Sequence, residues 1–320
     1  CWDTKQNKWF YLGPPDVHER LQPNDDLHWT GIAQRWNNMC ADCHSTNLQK
    51  NFNAETGHYH TTFSEIDVSC ESCHGPGSKH VTLASNSSLF WDREIGYGLP
   101  VLKGADKAET QIQTCAPCHS RRRIIHPGFR PGNSFHDHFA NESLRPETYH
   151  ADGQISDEVY VYGSFIQSKM YHKGIRCTDC HDAHSTKIQF KDNRLCTSCY
   201  LNQHQANKYD TKQHHFHKTG STGASCVECH MPTTTYMEVD PRRDHSLRVP
   251  RPDLSLALGT PNACVKCHFD DDINPSVSLS DQRKDELHLK QYADWVRAAS
   301  NGGQDVQDQL NRVNQWAHEA

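Results

Sequence analysis

Seven pairs of cysteines, each with two residues between them, are the feature of this sequence best suited to chemistry. The pairs use fourteen of the fifteen cysteines in the 320-residue chain. In six of the seven pairs the next residue is a histidine, and in the remaining pair it is Tyr200. The pairs are Cys40/Cys43, Cys70/Cys73, Cys115/Cys118, Cys177/Cys180, Cys196/Cys199, Cys226/Cys229 and Cys264/Cys267. The histidines that follow them are His44, His74, His119, His181, His230 and His268.

A histidine directly after such a pair is typical of covalent c-type haem attachment. The two thiols reach the two vinyl groups of one porphyrin, and the histidine supplies the proximal nitrogen to the iron. The pattern therefore predicts six molecules of haem c (heme c), and a seventh if the pair before Tyr200 is also used.

Three other uses of paired cysteines explain less of the pattern. Zinc ribbons bind through such pairs, but seven pairs do not divide into four-cysteine sites, and zinc does not require the histidines. Thioredoxin-like motifs use one pair near a βαβ unit, not seven. A disulfide framework in a secreted chain also leaves the histidines unexplained.

A six-coordinate haem iron needs a second axial ligand, and the sequence favours histidine for that role. The chain has 24 histidines but four methionines. Bis-histidine ligation, which implies low reduction potentials, is therefore the economical interpretation. We expect the distal ligands to be His28, His80, His138, His150, His184, His217 and His245, with His136, His172, His214 and His215 as rivals. A histidine of this set that binds no iron would be exposed or would bond a haem propionate.

The pair Cys196/Cys199 leaves three interpretations open. Haem could be attached with Tyr200 or the nearby His204 in the proximal place, since tyrosine can ligate haem iron. Haem could instead be attached with a five-coordinate iron that binds a substrate, which makes Tyr200 the candidate catalytic residue. In the third interpretation no haem is attached, and the two thiols are free or form a disulfide.

The elements that position these motifs must be built from few apolar residues. Hydrophobic residues make up 35% of the chain and the mean hydropathy is −0.85, which is a thin supply for an ordinary core. Haem would supply the missing apolar volume. We predict a mainly α fold with much irregular loop and little or no sheet, packed around haems. The run 121–123 of three arginines is either a clamp for haem propionates or a solvated basic turn.

The chain is predicted to contain a multihaem cytochrome domain over 1–275 and a C-terminal helical hairpin over 276–320. The hairpin would consist of helices over 281–299 and 304–319, separated by a Gly-Gly break. Within the haem domain a helix is predicted over 157–172, and 231–262 is predicted to be mostly extended loop. Cys1 has three interpretations: a lipid-anchored residue, a remnant of a longer chain, or a free thiol.

Composition also limits the partners and the location. The net charge of −6 argues against a nucleic-acid partner. No apolar run of roughly 18 residues is present, so we expect no transmembrane segment. Because c-type haem attachment is completed outside the cytoplasm, we expect an extracytoplasmic location in the periplasm, at the cell surface or outside the cell.

Several longer runs around the motifs carry a family resemblance. They cover 39–47, 65–80, 149–154, 229–232 and 240–253. Together they resemble a multihaem c-type cytochrome family related to the nitrite reductase and hydroxylamine oxidoreductase group, of the kind often fused to tetratricopeptide repeats. The resemblance implies a further haem motif upstream and helical repeats that begin in 281–319. It also implies a histidine at the position of Tyr200. Ammonia-forming nitrite reductases have a lysine in their catalytic motif, and because tyrosine is not lysine, we infer no nitrite-reducing site from the resemblance.

These observations favour an electron carrier over an enzyme. Its partners would be redox proteins or neighbouring copies of the chain. Copies that associate head to tail would form a homo-oligomer, or a filament if the assembly does not close into a ring. The alternative is a reductase of small nitrogen or sulfur oxyanions, with its site at the Cys196/Cys199/Tyr200 motif. A structural or adhesive cytochrome scaffold is a third class.

Overall fold

The computed structural model describes residues 1–12, 20–86, 93–102, 107–200, 209–237, 239–268 and 294. The chain forms two compact units. The first comprises Cys1–Glu142 with Met237–Val239, and the second comprises Ser143–Tyr236 with Asp240–Ala320. The predicted boundary near residue 275 and the predicted helices over 281–299 and 304–319 lie outside the described residues, apart from residue 294.

The first unit is made of short helices and strands joined by loops. Its helices are α1 Trp36–Met39, α2 Cys70–His74, α3 Ser78–Ala84 and α4 Ala108–His119. Its strands are β1 Trp2–Asp3, β2 Lys8–Trp9, β3 Ser45–Thr46, β4 Phe52–Asn53, β5 His58–Tyr59, β6 Glu65–Ile66, β7 Arg122–Ile124 and β8 Phe139–Asn141. Short 3-10 segments lie at Ile32–Gln34, Arg93–Gly98 and Phe135–Asp137.

The second unit has the same character. Its helices are α5 Tyr162–Phe165, α6 Lys169–His172, α7 Cys177–Cys180, α8 Arg194–Tyr200, α9 Lys212–His215, α10 Cys226–His230, α11 Pro252–Leu258 and α12 Ala263–His268. Its strands are β9 His181–Asp182, β10 Lys187–Ile188, β11 Thr233–Tyr236 and β12 Asp240–Arg243. A 3-10 segment lies at Thr222–Ala224.

Every sheet in the described ranges is an antiparallel pair of strands. Strand β1 pairs with β2, β3 with β6, β4 with β5, β7 with β8, β9 with β10, and β11 with β12. The longest pair, β11 and β12, joins four residues of each strand. The prediction of helix and irregular loop with little sheet is therefore confirmed. Within these ranges, none of the helices has the length and apolar character needed to cross a membrane.

The protein core is thin, as the composition predicts. In the first unit Phe135 and Phe139 are buried and stack with ring centroids 5.2 Å apart. The second unit has a small buried cluster, formed by Tyr149, Ile155, Val159 and Tyr236. Large apolar side chains beside the cysteine motifs are instead exposed. Examples are Met39, Ile66, Val68 and Val81.

The segment 157–172 differs from its prediction as one continuous helix. It forms the two short helices α5 and α6, because Ser168 has an extended backbone and starts the second one. The Ser168 hydroxyl accepts a hydrogen bond from the Tyr171 amide at 3.1 Å, which is the geometry of an N-terminal cap. Gly174 ends the segment at a φ of +74°, as expected for a helix stop.

The segment 231–262 also differs, because the predicted extended loop contains regular structure. Strands β11 and β12 form a hairpin within it, and helix α11 follows. Helix α11 begins with Pro252, whose fixed φ suits the first helical position. Pro241 sits in β12, where a two-stranded sheet leaves an edge that tolerates proline.

Candidate haem sites

The cysteine motifs are held in single helical turns. Helices α2, α7 and α10 begin at the first cysteine of a pair, and α4, α8 and α12 contain a pair. The first motif forms such a turn through the amide of His44, which donates to the carbonyl of Cys40 at 3.0 Å. Because side chains three and four residues apart lie on one helical face, a helical turn of this kind brings the two cysteines of a pair to one side, together with the histidine where it continues the helix.

In the first unit the first and third motifs pack against each other. The Cys118 thiol donates a hydrogen bond to the Cys43 sulfur, which lowers the pKa of Cys43 to about 7 and raises the pKa of Cys118. The motif alanines Ala41 and Ala116 are completely buried. Cys73 of the second motif is close enough to raise the pKa of Cys118 slightly further. Three motifs therefore meet in this unit.

Arg122 ties the first motif to the third. Its Nε donates to the carbonyl of Pro117 at 2.9 Å, and its Nη1 lies 3.4 Å from Asp42. The guanidinium also lies over the Phe139 ring, 4.6 Å from its centroid. Arg122 is thus a structural bridge between the two motifs, and a propionate clamp by the arginine run 121–123 stays a prediction.

In the second unit the four remaining motifs lie near one another in chain order. Burial raises the pKa of Cys180, and the neighbouring Cys199 raises it further. The Cys196 thiol is hydrogen bonded to the Cys226 sulfur. Burial and the nearby Cys229 raise the pKa of Cys264 to about 11.

Two pairs of histidine rings lie nearly parallel to each other, with interplanar angles of 27° and 12°. The ring centroids of His181 and His245 are 6.3 Å apart, and those of His214 and His230 are 6.1 Å apart. An imidazole nitrogen lies about 2 Å from a metal it binds, and the ring centre lies about 1.1 Å beyond, so two opposed ligands place their centroids about 6.2 Å apart. Each pair joins one motif histidine with one histidine from elsewhere in the sequence.

Burial lowers the pKa of His181. The neutral imidazole, which is the form that binds a metal, is therefore favoured at this position.

In the described part of the chain, at least five histidines are anchored through Nδ1 to a backbone carbonyl. A histidine that donates Nδ1–H in this way presents its Nε2 lone pair, as metal-binding histidines do. The anchored residues are His80 on Tyr97, His138 on His126, His217 on His215, His230 on Arg248 and His245 on Arg243. Four of them belong to the expected distal set, and the fifth is a motif histidine.

The other expected distal ligands are placed differently. The Nδ1 of His28 accepts a hydrogen bond from the Thr30 amide at 3.2 Å, so the ring hydrogen of the neutral form sits on Nε2. His150 lies at a turn closed by Gly153, whose amide donates to its carbonyl at 2.8 Å. His184 lies in the turn between β9 and β10, directly after the fourth motif.

Among the rivals, His136 and His172 pack edge-on against Phe135 and Tyr171. The Nδ1 of His215 accepts a hydrogen bond from the amide of His217 at 3.2 Å. Tyr200 and His268 are the last residues of α8 and α12, and His204 lies outside the described residues.

A cavity of about 680 Å³ adjoins the sixth motif in the second unit, with Cys229 in its wall. Leu247, Leu254 and Leu258 give it an apolar lining, and Arg248 supplies a cation. The backbone carbonyl of Arg248 is the acceptor that holds His230. The charged side chains of Asp152, Lys169, Asp244 and Arg251 also line the cavity, so its wall combines a motif thiol with both apolar and charged groups.

Two comparisons with known proteins find similarity to cytochromes. Residues 16–75 match the family model of cytochrome c554 and c-prime. The outer cell wall cytochrome OcwA has a similar structure, with a TM-score of 0.52 and 17% sequence identity over 83% of this chain. The chain has the fold of a multihaem c-type cytochrome. It spans 66% of the length of OcwA, and no curated protein sequence matches it.

The family-model match supports covalently bound haem c as a cofactor. A relation to the nitrite reductase and hydroxylamine oxidoreductase group, and a fusion to tetratricopeptide repeats, stay predictions.

Asp67 and Asn193 position motifs of this chain but were not predicted from the sequence. Asp67 contacts His44, and Asn193 bonds the backbone of the sixth motif. Each is distant in sequence from the group it holds. Arg122 lies in the arginine run 121–123 that the sequence pointed to, but it bridges two motifs instead. The run 65–80, which carries part of the family resemblance, contains Asp67.

Proposed function

We propose that this cytochrome transfers electrons through covalently bound haems, one at each of the six motifs that carry a histidine, with mostly bis-histidine ligation. The observation that carries the proposal is the pair of ring separations near 6 Å, His181 with His245 and His214 with His230. An iron closed by two imidazoles has no position for a substrate, so it can exchange electrons but cannot bind a small oxyanion.

The distal ligands follow from the same geometry. We assign His245 to the haem of the fourth motif and His214 to the haem of the sixth. His245 belongs to the expected set, whereas His214 was a rival. His80, His138 and His217 are further distal ligands in this proposal, because their Nδ1 anchors free Nε2 for iron. His28, His150 and His184 stay predictions on the sequence alone.

When bound, the haems supply the one-electron chemistry, and the residues of the chain position them. The anchored imidazoles fix the ligand orientation, and the apolar side chains left exposed beside the motifs would cover porphyrin faces and exclude water. Bis-histidine ligation favours low potentials relative to histidine–methionine ligation. The chain therefore suits the transfer of electrons at low potential.

An extracytoplasmic location and redox-protein partners belong to the same proposal. The similar protein OcwA is described as an outer cell wall cytochrome, which supports a location outside the cytoplasm. Partners would be redox proteins or neighbouring copies of this chain, and head-to-tail contacts would give a filament. Cell fractionation and the mass of the purified assembly in solution test these statements.

The ligand assignments are tested by His245→Ala and His214→Ala, with His172→Ala as the control. We expect each test variant to keep the haem mass of the wild type but to convert one low-spin haem to a high-spin form that binds CO. The control should keep the spin state and the CO binding of the wild type. A wild-type protein that already binds CO or nitrite would favour the reductase, and unchanged spectra in both test variants would overturn the ligand pairs.

A further inference from the structure

The fifth pair, Cys196/Cys199, lies between the fourth and sixth motifs. The Cys196 thiol donates a hydrogen bond to the Cys226 sulfur of the sixth motif. The Cys199 thiol lies beside Cys180 of the fourth motif. Beyond the sixth motif, Cys229 lies beside Cys264 and Cys267 of the seventh. The fifth pair is thus an inner member of a row of four.

Asn193 fixes the fifth pair against the sixth motif. Its side-chain oxygen accepts from the Cys226 amide at 2.9 Å. Its side-chain nitrogen donates to the Ala224 carbonyl at 2.9 Å and to Asp210 at 2.7 Å. The Asn193 carbonyl itself accepts from the Cys196 amide at 3.0 Å. One asparagine therefore sets the separation between the first turns of the two motif helices.

We propose that Cys196 and Cys199 bind a haem, and that this haem links the haem of the fourth motif to that of the sixth. The proposal rests on the proposed function, because a link is meaningful only between electron-carrying haems. Without a haem at the fifth pair, the row of haems in the second unit would be interrupted between the fourth and sixth motifs.

The residues present fit the attachment chemistry. The two cysteines are three residues apart in α8 and are not joined in a disulfide. Each thiol adds across one vinyl group: a sulfur–carbon bond forms, the vinyl double bond is lost, and the thiol proton goes to the other vinyl carbon. No oxidant or reductant is consumed. Because Tyr200 follows the pair, the iron of this haem lacks a histidine from its own motif.

The number of haems is tested by the intact mass of the purified holoprotein. We expect seven haem increments in the wild type and six in Cys196→Ala/Cys199→Ala. Cys1→Ala, which changes a cysteine outside the pairs, should keep seven. Six increments in the wild type would overturn this inference alone, whereas a wild type without haem would overturn the proposed function.

A second variant keeps the test valid if the double variant does not fold. Tyr200→His retains both thiols and restores the histidine of the other motifs. We expect seven increments again, with the spectrum of one haem changed. A rise from six in the wild type to seven in this variant would show that the pair is normally empty, and would overturn the inference.

The link itself is tested by electron exchange between haems after flash reduction. Loss of the fifth haem should add a slow phase, because the row is broken inside the second unit. The matched control is Cys70→Ala/Cys73→Ala, which removes one haem at the edge of the group in the first unit and should add no slow phase. Equal kinetics in the two double variants would overturn the link.

Discussion

The Nδ1 atom of His44 lies 3.3 Å from a carboxylate oxygen of Asp67, whereas the Nδ1 atom of His230 lies 2.7 Å from the backbone carbonyl of Arg248. A charged acceptor makes the imidazole a more basic ligand than a neutral one does. In the proposed haem sites the two motif histidines would therefore be unequal donors to iron, although their motifs are alike in sequence.

The position of Asp67 is fixed by its surroundings. Its backbone is left-handed, with a φ of +65°, which is uncommon for a residue other than glycine. The Asp67 amide donates to the His44 carbonyl at 2.9 Å, and the Thr46 hydroxyl donates to the Asp67 carbonyl at 2.9 Å. These bonds hold the uncommon conformation and aim the carboxylate at the imidazole.

Asp67→Asn should therefore raise the midpoint potential of the first haem. A tenfold loss of preference for the oxidised iron corresponds to about 59 mV for a one-electron couple. Because the carboxylate is exposed and screened by solvent, we expect a shift of a few tens of mV. Spectroelectrochemical titration measures it, with Glu55→Gln as an exposed control at the same charge change. Equal shifts in the two variants would contradict a specific role for Asp67.

Arg122 is expected to hold the first and third motifs together. Lysine keeps the charge but cannot bond Pro117 and Asp42 in the same planar geometry. Arg122→Lys should lower the free energy of unfolding by about 1–3 kcal/mol, because the buried acceptors lose their donors. Denaturant unfolding monitored by haem absorption measures the loss. The exposed neighbour Arg123 provides the control, and an equal loss in Arg123→Lys would argue against the bridge.

The motifs could be predicted from sequence because their geometry is local. A thiol, a second thiol and an imidazole within one helical turn need no information from the rest of the chain. The distal ligands are different, since His245 and His181 are far apart in sequence and meet through tertiary folding. His214 and His215 are adjacent and equivalent as sequence, and the ring contact of His214 with His230 distinguishes them only in the fold.

The secondary-structure prediction was wrong in segments whose conformation depends on tertiary contacts. The run of three threonines and a tyrosine in β11 has the β-branched character of a strand, but the prolines around it favoured the prediction of a loop. In 157–172 the apolar spacing suggested one helix, and nothing in that spacing showed that the Ser168 hydroxyl would bond the Tyr171 amide and start a new one.

The Arg251–Asp253 pair predicts a dependence of stability on pH. Arg251 donates two hydrogen bonds to the buried Asp253, at 2.8 and 2.6 Å, and these bonds lower the pKa of Asp253. A carboxyl with a lowered folded pKa stabilises the fold above its unfolded pKa of about 3.9, and this stabilisation is lost as pH falls through the folded value.

Asp253→Asn should therefore cost about 1.5–3 kcal/mol at neutral pH, and the difference from wild type should shrink in acid. Denaturant titrations between neutral pH and about pH 3 measure this trend. Asp240→Asn, in the more exposed pair with Arg242, is the control and should cost little. If the difference in unfolding free energy between Asp253→Asn and wild type grew in acid, the lowered pKa of Asp253 would be contradicted.

Gly223 leaves the space that the His217 ring occupies. A Cβ at Gly223 would overlap three atoms of that ring, and the ring is anchored through Nδ1 to the His215 carbonyl. Gly223→Ala must therefore displace the imidazole. If His217 is a distal ligand, one haem should become high-spin and bind CO while the haem mass stays unchanged.

Gly77→Ala is the matched control for this substitution, because a Cβ there would meet no atom within 4 Å and the backbone φ of −88° is ordinary. Optical and paramagnetic resonance spectra with and without CO compare the two variants. We expect a change in Gly223→Ala alone. A fully low-spin Gly223→Ala protein would remove His217 from the ligands, because a displaced ring cannot keep its bond to iron.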